Sequence, residues 1–312
     1  MMAKRNHRSA RSYTVYSRAV FLFLVTISVI VLVQPLKAQQ TLALQGEVSI
    51  EVKGRYFVSG NSASYEKVDN ESIIKVKGNS GVCSPESVLI GDNIIIYDTK
   101  KTIKIKDNSK LFSDRFYAEA ELMEINSDNQ SFSLNNLAGL ATLELFEEKL
   151  RTGFKWDTQK KCKEMILKMY APRNRLNETE VNKYILSARQ IFLDNKNKIV
   201  RLKSNASFSA TNNDTKVTGN LIEIYLDDEN QLKSMRTSGD VNFNYNEYEA
   251  TTMNLEFNFK SEKLVARGPT KIKYNEFLTQ SNYLEMSLGQ NKKKLITLPT
   301  EFIRTTVTPP QQ

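Results

Sequence analysis

Histidine occurs once in the chain, at His7, and the only cysteines are Cys83 and Cys162. Beyond its first residues the chain therefore has no imidazole for general acid–base work, no Ser-His-Asp triad and no imidazole metal ligand. It carries no phosphate-binding glycine loop, no G-x-S-x-G elbow and no CxxC pair. Paired carboxylates could in principle hydrolyse a glycoside. The acidic residues, however, gather in "DTKKT", "DNKNK" and "DDENQ", where bending and solvating a hairpin turn accounts for them. The two cysteines fall in stretches that read as sheet and helix. An oxidising compartment permits a bridge between them, but nothing in the sequence brings them together, so two separate buried thiols are expected. These residues point to a protein that is not an enzyme and uses no cofactor or metal.

The formal charge of +9 suggests an anionic partner until its distribution is examined. Lys4, Arg5, Arg8, Arg11, Arg18 and Lys37 lie in residues 1–38, which contain no acidic residue. Removing those six leaves 38 basic against 35 acidic residues, an ordinary surface that argues against nucleic-acid binding. The same segment carries the uncharged run "AVFLFLVTISVIVLV" at 19–33, followed by Pro35, Leu36 and Ala38. Fifteen apolar residues suit a signal-peptide core. Extending the run to Leu36 approaches the ~20 that a membrane-spanning helix needs. Residues 1–38 are therefore expected to be a signal peptide cleaved after Ala38 or a membrane anchor, and either one exports the rest of the chain.

What must position a binding surface is a long series of strands. "GDNIIIYDTKKTIKIKDN" (91–108) is strand, polar turn, strand, and the shape recurs in degenerate form along the chain. "VSGNSASYEKVDNESIIKVKG" begins near Gly60, "LSARQIFLDNKNKIVRLKSN" near Ala188 and "VTGNLIEIYLDDENQLKSMRTSG" near Gly219. Gly60 and Gly91 are 31 residues apart, as are Ala188 and Gly219. That period fits a hairpin unit. Within the strands apolar residues alternate with polar ones: Val48, Ile50 and Val52 against Ser49 and Glu51; Val241, Phe243 and Tyr245 against Asn242 and Asn244. Met253, Leu255, Phe257 and Phe259 alternate in the same way and are all expected to face inward. Such units make an antiparallel meander with one apolar face, which must fold over on itself to bury that face.

The combination of export, the hairpin period and a Gly/Ala-x-x-Φ-x-Φ-Tyr/Asp signature, where Φ is apolar, resembles the OstA-like family. This family comprises the LptA and LptC proteins of lipopolysaccharide transport and the N-terminal domain of the translocon LptD. "GDNIIIYDTKKTIKIKDN" is the best single match and "LQGEVSIEV" (44–52) resembles the family's opening strand. The resemblance covers roughly 42–134 and 185–300. It implies a mainly β, slightly opened jellyroll of hairpin repeats, whose apolar interior takes the acyl chains of lipopolysaccharide or a related lipid. On that basis the expected lipid contacts are Ile94, Ile96, Ile103 and Ile105 in the first β module, and Ile222, Ile224 and Val241 in the second. Ile95 and Tyr97 would cover the outer face. The expected joints to other OstA-like proteins, or to further copies head to tail, are the edge strands around Val48, Ile50 and Val52 and around Leu295 and Ile296. The resemblance leaves two roles open, a soluble LptA-like bridge and an anchored LptC-like component. Apart from it stands a structural envelope protein without cargo.

Residues 136–182 break the alternation. Leu143, Phe146 and Leu150, and then Cys162, Met165, Ile166 and Met169, recur at helical spacing, and Pro172 ends the second run. A two-helix insert between β modules is expected there. It is a packed spacer or, using Phe154, Trp156 and "KKCK" (160–163), a membrane- or partner-binding pair. Residues 301–312 read as a flexible tail.

Overall fold

The protein is described here from a computed structural model, covering residues 41–52, 56–84, 87–113, 116–146, 159–170, 183–211, 215–245, 248–274, 277–287, 294–296 and 304–307. The first strands are β1 (Thr41–Val52), β2 (Tyr56–Val68), β3 (Glu71–Ser84), β4 (Ser87–Tyr97), β5 (Thr102–Ser113) and β6 (Phe116–Asn126). Two short strands follow, β7 (Ser131–Asn135) and β8 (Ala141–Phe146), then helix α1 (Gln159–Tyr170), then β9 (Lys183–Ala188) and β10 (Gln190–Asp194). The second long series is β11 (Ile199–Ala210), β12 (Lys216–Leu226), β13 (Leu232–Tyr245), β14 (Tyr248–Asn258), β15 (Lys263–Tyr274) and β16 (Phe277–Ser287). β17 (Lys294–Ile296) and β18 (Arg304–Val307) lie beside β16.

Within each series every long strand pairs antiparallel with the next in sequence, as connections of two to five residues dictate. β7 pairs with β10 and β8 with β9, so the two β modules run into each other as one sheet. Residues 39–312 form one compact unit. Two sequence expectations are corrected here. "ATLELF" (141–146) is strand β8, not helix, because Leu143 is an inward residue of a strand held between β6 and β9. Arg304–Val307, expected in a flexible tail, pairs with Phe277–Gln280. The expectations for residues 1–38, Leu150, Phe154, Trp156 and Pro172 fall outside the described residues.

The meander does not stay flat. Near its middle almost every long pairing slips register: between Gln45 and Val48, Lys77 and Ser80, Ile90 and Asn93, Lys106 and Ser109, Lys203 and Ala206, Ser238 and Val241, and Arg267 and Thr270. At several of these places two successive residues take positive φ: Gly78 and Asn79, Asp107 and Asn108, Ser204 and Asn205, Gly239 and Asp240. Such β-bulges bend a strand and add twist. Lined up across the sheet, they make a continuous crease, and the sheet folds along it into two layers in a jellyroll-like arrangement. The contact of Phe208 on β11 with Phe259 just beyond β14, 5.8 Å between ring centroids, is made across that fold. A single apolar cluster runs between the layers from Val48 on β1 to Met286 on β16.

Each bulge also switches which alternate residues face inward. On β4, Leu89 is inward before the crease, whereas Ile94 and Ile96 are inward after it. On β14 the inward residues are Ala250 and Thr252, then Leu255 and Phe257. Met253 sits on the switch and is 56% exposed, which corrects the expectation that it shares a face with Leu255. Alternation counted from the sequence cannot register an extra residue inserted by a bulge. Met253→Ala is therefore expected to change stability by less than ~0.5 kcal/mol, and Leu255→Ala to cost about 2–4 kcal/mol, in chemical denaturation.

Candidate ligand-facing interior and strand edges

The seven interior residues singled out by sequence all belong to the inner face. Ile94, Ile105, Ile222 and Ile224 are fully buried, Ile96 and Val241 are 1% exposed, and Ile103 is half-buried against the same cluster. Ile94 lies opposite Ile105 and Ile96 opposite Ile103, a quartet on β4 and β5. Ile222 and Ile224 face Leu202 and Val200 across β11, and Val241 lies beyond the crease opposite Thr252. The structure thus gathers them into two patches of one lining. The lining is filled by its own side chains. Clefts of about 240, 580 and 400 Å³ lie on the outer surface among polar residues such as Arg236, Asn242 and Glu121, not between the layers.

Small residues line the inside of the crease. Gly60, Gly91, Ala188 and Gly219, the recurring positions of the hairpin signature, stand opposite Val48, Ser80, Ala141 and Ala206. At Gly91 an added Cβ would come within 2.2 Å of Ile105 Cγ2, and at Gly219 within 2.6 Å of Thr237 Cγ2. The signature glycine is the residue that lets two strands close at the fold. Hydroxyls at the crease are unevenly satisfied: Thr252 and Thr270 bond each other at 2.9 Å and also lie within reach of Arg267 O (3.2 Å) and Gly268 O (2.9 Å), whereas Ser80 Oγ and Thr237 Oγ1 are buried without a partner.

The outer face stays wet. Ile95 and Tyr97 point outward as expected, both only partly exposed, and the Lys100 and Lys104 ammoniums lie 5.5 and 6.0 Å from the Tyr97 ring centre. Cross-strand ion pairs continue this pattern at Arg201–Glu223 (2.8 Å), Lys104–Glu124 (3.1 Å) and Lys263–Glu285 (2.7 Å). Hydrogen bonds from Lys263 and Tyr283 hold the Glu285 carboxyl below its ordinary pKa.

One part of the outer face is apolar. Cys83, Val88 and Ile90 point outward and are buried beneath α1, packed with Cys162 and Ile166 and edged by Phe57, Met165 and Tyr170. This cover explains why residues 88–90 are apolar on both faces of their strand. Cys83 and Cys162 form a disulfide across a sequence separation of 79, correcting the expectation of two separate thiols. The Tyr170 hydroxyl lies 2.9 Å from Ser80 O and 2.7 Å from Gly91 O, and accepts from Gly91 N at 3.1 Å. Burial, and then the charge of Asp92, push the Tyr170 pKa from 10.0 up to about 12. The hold therefore stands in full below pH 10 and is lost as pH rises towards 12. Sequence reasoning missed this site, although an apolar residue at each outward position from 88 to 90 was the available signal.

The edges lie at the two ends of the meander. β1 pairs with β2 along its length, and no described strand lies on its other side. Val48 is buried and Ile50 half-buried against the core, whereas Leu42 is 50% exposed. At the other end Leu295 and Ile296 pair with Met286 and Glu285. The side chains of Val52, Leu295 and Ile296 fall outside the described residues. Among the described residues no cluster of three potential metal ligands occurs, and no helix is long and apolar enough to cross a membrane.

Comparison with known proteins adds little beyond this geometry. No protein-family model matches the chain, and no curated protein matches it. Among solved structures, the chain is similar to LptH, the LptA-homologous periplasmic component of the lipopolysaccharide transport device of Pseudomonas aeruginosa. Identity is 13% and the TM-score 0.36, over 40% of this chain and 95% of that one.

Proposed function

We propose that this chain is a periplasmic, LptA-like bridge component that carries lipopolysaccharide or a related acylated lipid towards the outer membrane without any covalent step. The observation that carries this reading is the apolar lining, continuous in one creased sheet from an edge strand with no described outer neighbour to the strands at the far end. Acyl chains would be held by apolar burial worth ~25 cal/mol per Å², tight in sum yet reversible. Because the interior is filled, cargo must part the layers, and the edges are where parting begins. The export segment at 19–33 supports the periplasmic assignment. If residues 1–38 are retained, the same β body acts as an LptC-like anchored component, and N-terminal sequencing of the exported protein separates the two. The closed packing of Ile94, Ile105, Ile222 and Ile224 favours a second reading, an envelope scaffold without cargo.

A photo-crosslinkable residue at Ile96 is expected to capture acylated lipid in the periplasm, and one at the outward Lys104 is not. Absence of a lipid adduct at Ile96, together with native mass spectrometry free of copurifying lipid, would leave the scaffold reading standing. Assembly is tested separately. A strand joint through β1 gains only ~1 kcal/mol per ladder bond, so association should be head-to-tail, concentration-dependent and weak. Ile50→Pro removes one backbone donor and the half-buried isoleucine side chain, and is expected to abolish that association while the fold persists. Sedimentation with an OstA-like partner, and alone at high concentration, measures it. A monomer under both conditions ends the bridge reading.

A further inference from the structure

Helix α1 is fastened to the outer face of β2–β4 at three successive turns of one side. Cys162 is bonded to Cys83 on β3. Ile166 occupies the space above Gly81, where an added Cβ would come within 2.4 Å of its side chain. The Tyr170 hydroxyl meets Ser80 on β3 and Gly91 on β4, two residues paired with each other at the crease. Lys163 also forms an ion pair with Glu47 beside the bulge of β1. Cys162 to Tyr170 spans about 12 Å of helix and Cys83 to Ser80 about 10 Å of strand, so the helix lies from the body of the layer to its fold. Ser80 and Gly91 directly adjoin the bulges of their strands, Gly78–Asn79 on β3 and the slip after Ile90 on β4, so a shift of either strand at its bend moves a backbone group held by that one phenol oxygen.

We propose that α1 is a disulfide-latched clasp that fixes the opening of the crease across β2–β4 and releases it when Cys83–Cys162 is reduced. A dithiol supplies the two electrons and two protons: the S–S bond breaks, two thiols form on the protein, and the dithiol closes to its own disulfide. Both cysteines are 1% exposed, so the attacking thiolate reaches sulfur only after the helix lifts. Lifting is opposed by the Tyr170 bonds and by the buried Ile166, and the rate of reduction therefore reports the clasp. The crease of the second half supplies an internal control. There Asp240, Asn242, Thr251 and Lys271 line a cleft of about 580 Å³, and no described helix covers it. The clasp holds whatever the interior carries; on the carrier reading it sets how readily the first half parts for cargo.

Hydrogen exchange of the full exported protein, before and after reduction with dithiothreitol, tests this. Peptides across 76–95 are expected to exchange roughly tenfold faster once reduced, while those across 238–256 stay unchanged. Cys83→Ser with Cys162→Ser should reproduce the reduced pattern. Tyr170→Phe, which keeps the ring and loses the hydroxyl contacts, should speed thiol release by dithiothreitol about fivefold. Unchanged exchange at 76–95 after verified reduction would overturn the clasp. So would equal acceleration in both halves, which makes the disulfide a global staple, or a Tyr170→Phe release rate indistinguishable from that of the unsubstituted chain.

Discussion

Gly91→Ala is expected to destabilise the protein by about 3 kcal/mol, the upper part of the range for forcing an extra methyl into a packed core. The new Cβ would stand 2.2 Å from Ile105 Cγ2, and that methyl sits on a fully buried β-branched side chain facing Ile94. It has no free rotamer to retreat to. Gly91 has no positive φ, so the cost is steric and not conformational. Gly60→Ala, aimed at Val76 Cγ1 from 2.4 Å, should behave alike. Gly139→Ala, with nothing nearer than 3.5 Å, should stay within ~0.5 kcal/mol of the unsubstituted chain. For a chain of this size the crease substitutions correspond to roughly 6–12 °C in Tm. A double-mutant cycle with Ile105→Ala isolates the clash: once the methyl is gone, the alanine at 91 should cost less than ~1 kcal/mol. An undiminished cost would mean that Gly91 is needed for some other reason than closing the fold.

The hairpin signature was therefore legible before its purpose was. Gly60, Gly91, Ala188 and Gly219 stood out by spacing, and the family resemblance implied the inward Ile94, Ile96, Ile105, Ile222 and Ile224, which lie on the inner face. The crease itself was not legible. A bulge is one or two residues of unusual φ, such as Ser204 and Asn205, and these are ordinary loop-forming residues in a string. Met253 was misplaced for that reason. The spacing of Leu143, Phe146 and Leu150 points to a helix where β8 lies, and only tertiary pairing to β6 and β9 overrides that period. The disulfide and α1 join elements 79 residues apart, a separation about which local pattern says nothing. The candidate site was legible as a face, while whether that face is a cavity or a core depends on how the layers meet.

Phe208→Ala tests how they meet, and it is expected to have the largest effect of any single truncation named here. The ring is fully buried on β11. It stacks with Tyr184 of β9 at 5.7 Å and contacts Phe259 at 5.8 Å, so it touches a neighbouring strand and the opposite layer at once. Truncation removes its transfer energy and both aromatic contacts and leaves a void, at a cost of about 3–5 kcal/mol. Thermal unfolding should show a Tm lower by ~10 °C or more. The void is lined by apolar side chains, so it should stay dry and accept a small apolar guest. Benzene is accordingly expected to raise the Tm of Phe208→Ala and not that of the parent. Phe208→Leu, which keeps most of the volume, should cost less than half as much. A loss below ~1 kcal/mol for the alanine variant would show that the layers can draw apart or collapse at this point almost freely. On the carrier reading, the filled interior would then offer little resistance to an acyl chain, and the barrier to cargo would lie at the edges. On the same reading, the expected larger loss puts the barrier in the packing itself, where an entering acyl chain would have to replace contacts such as Phe208–Phe259.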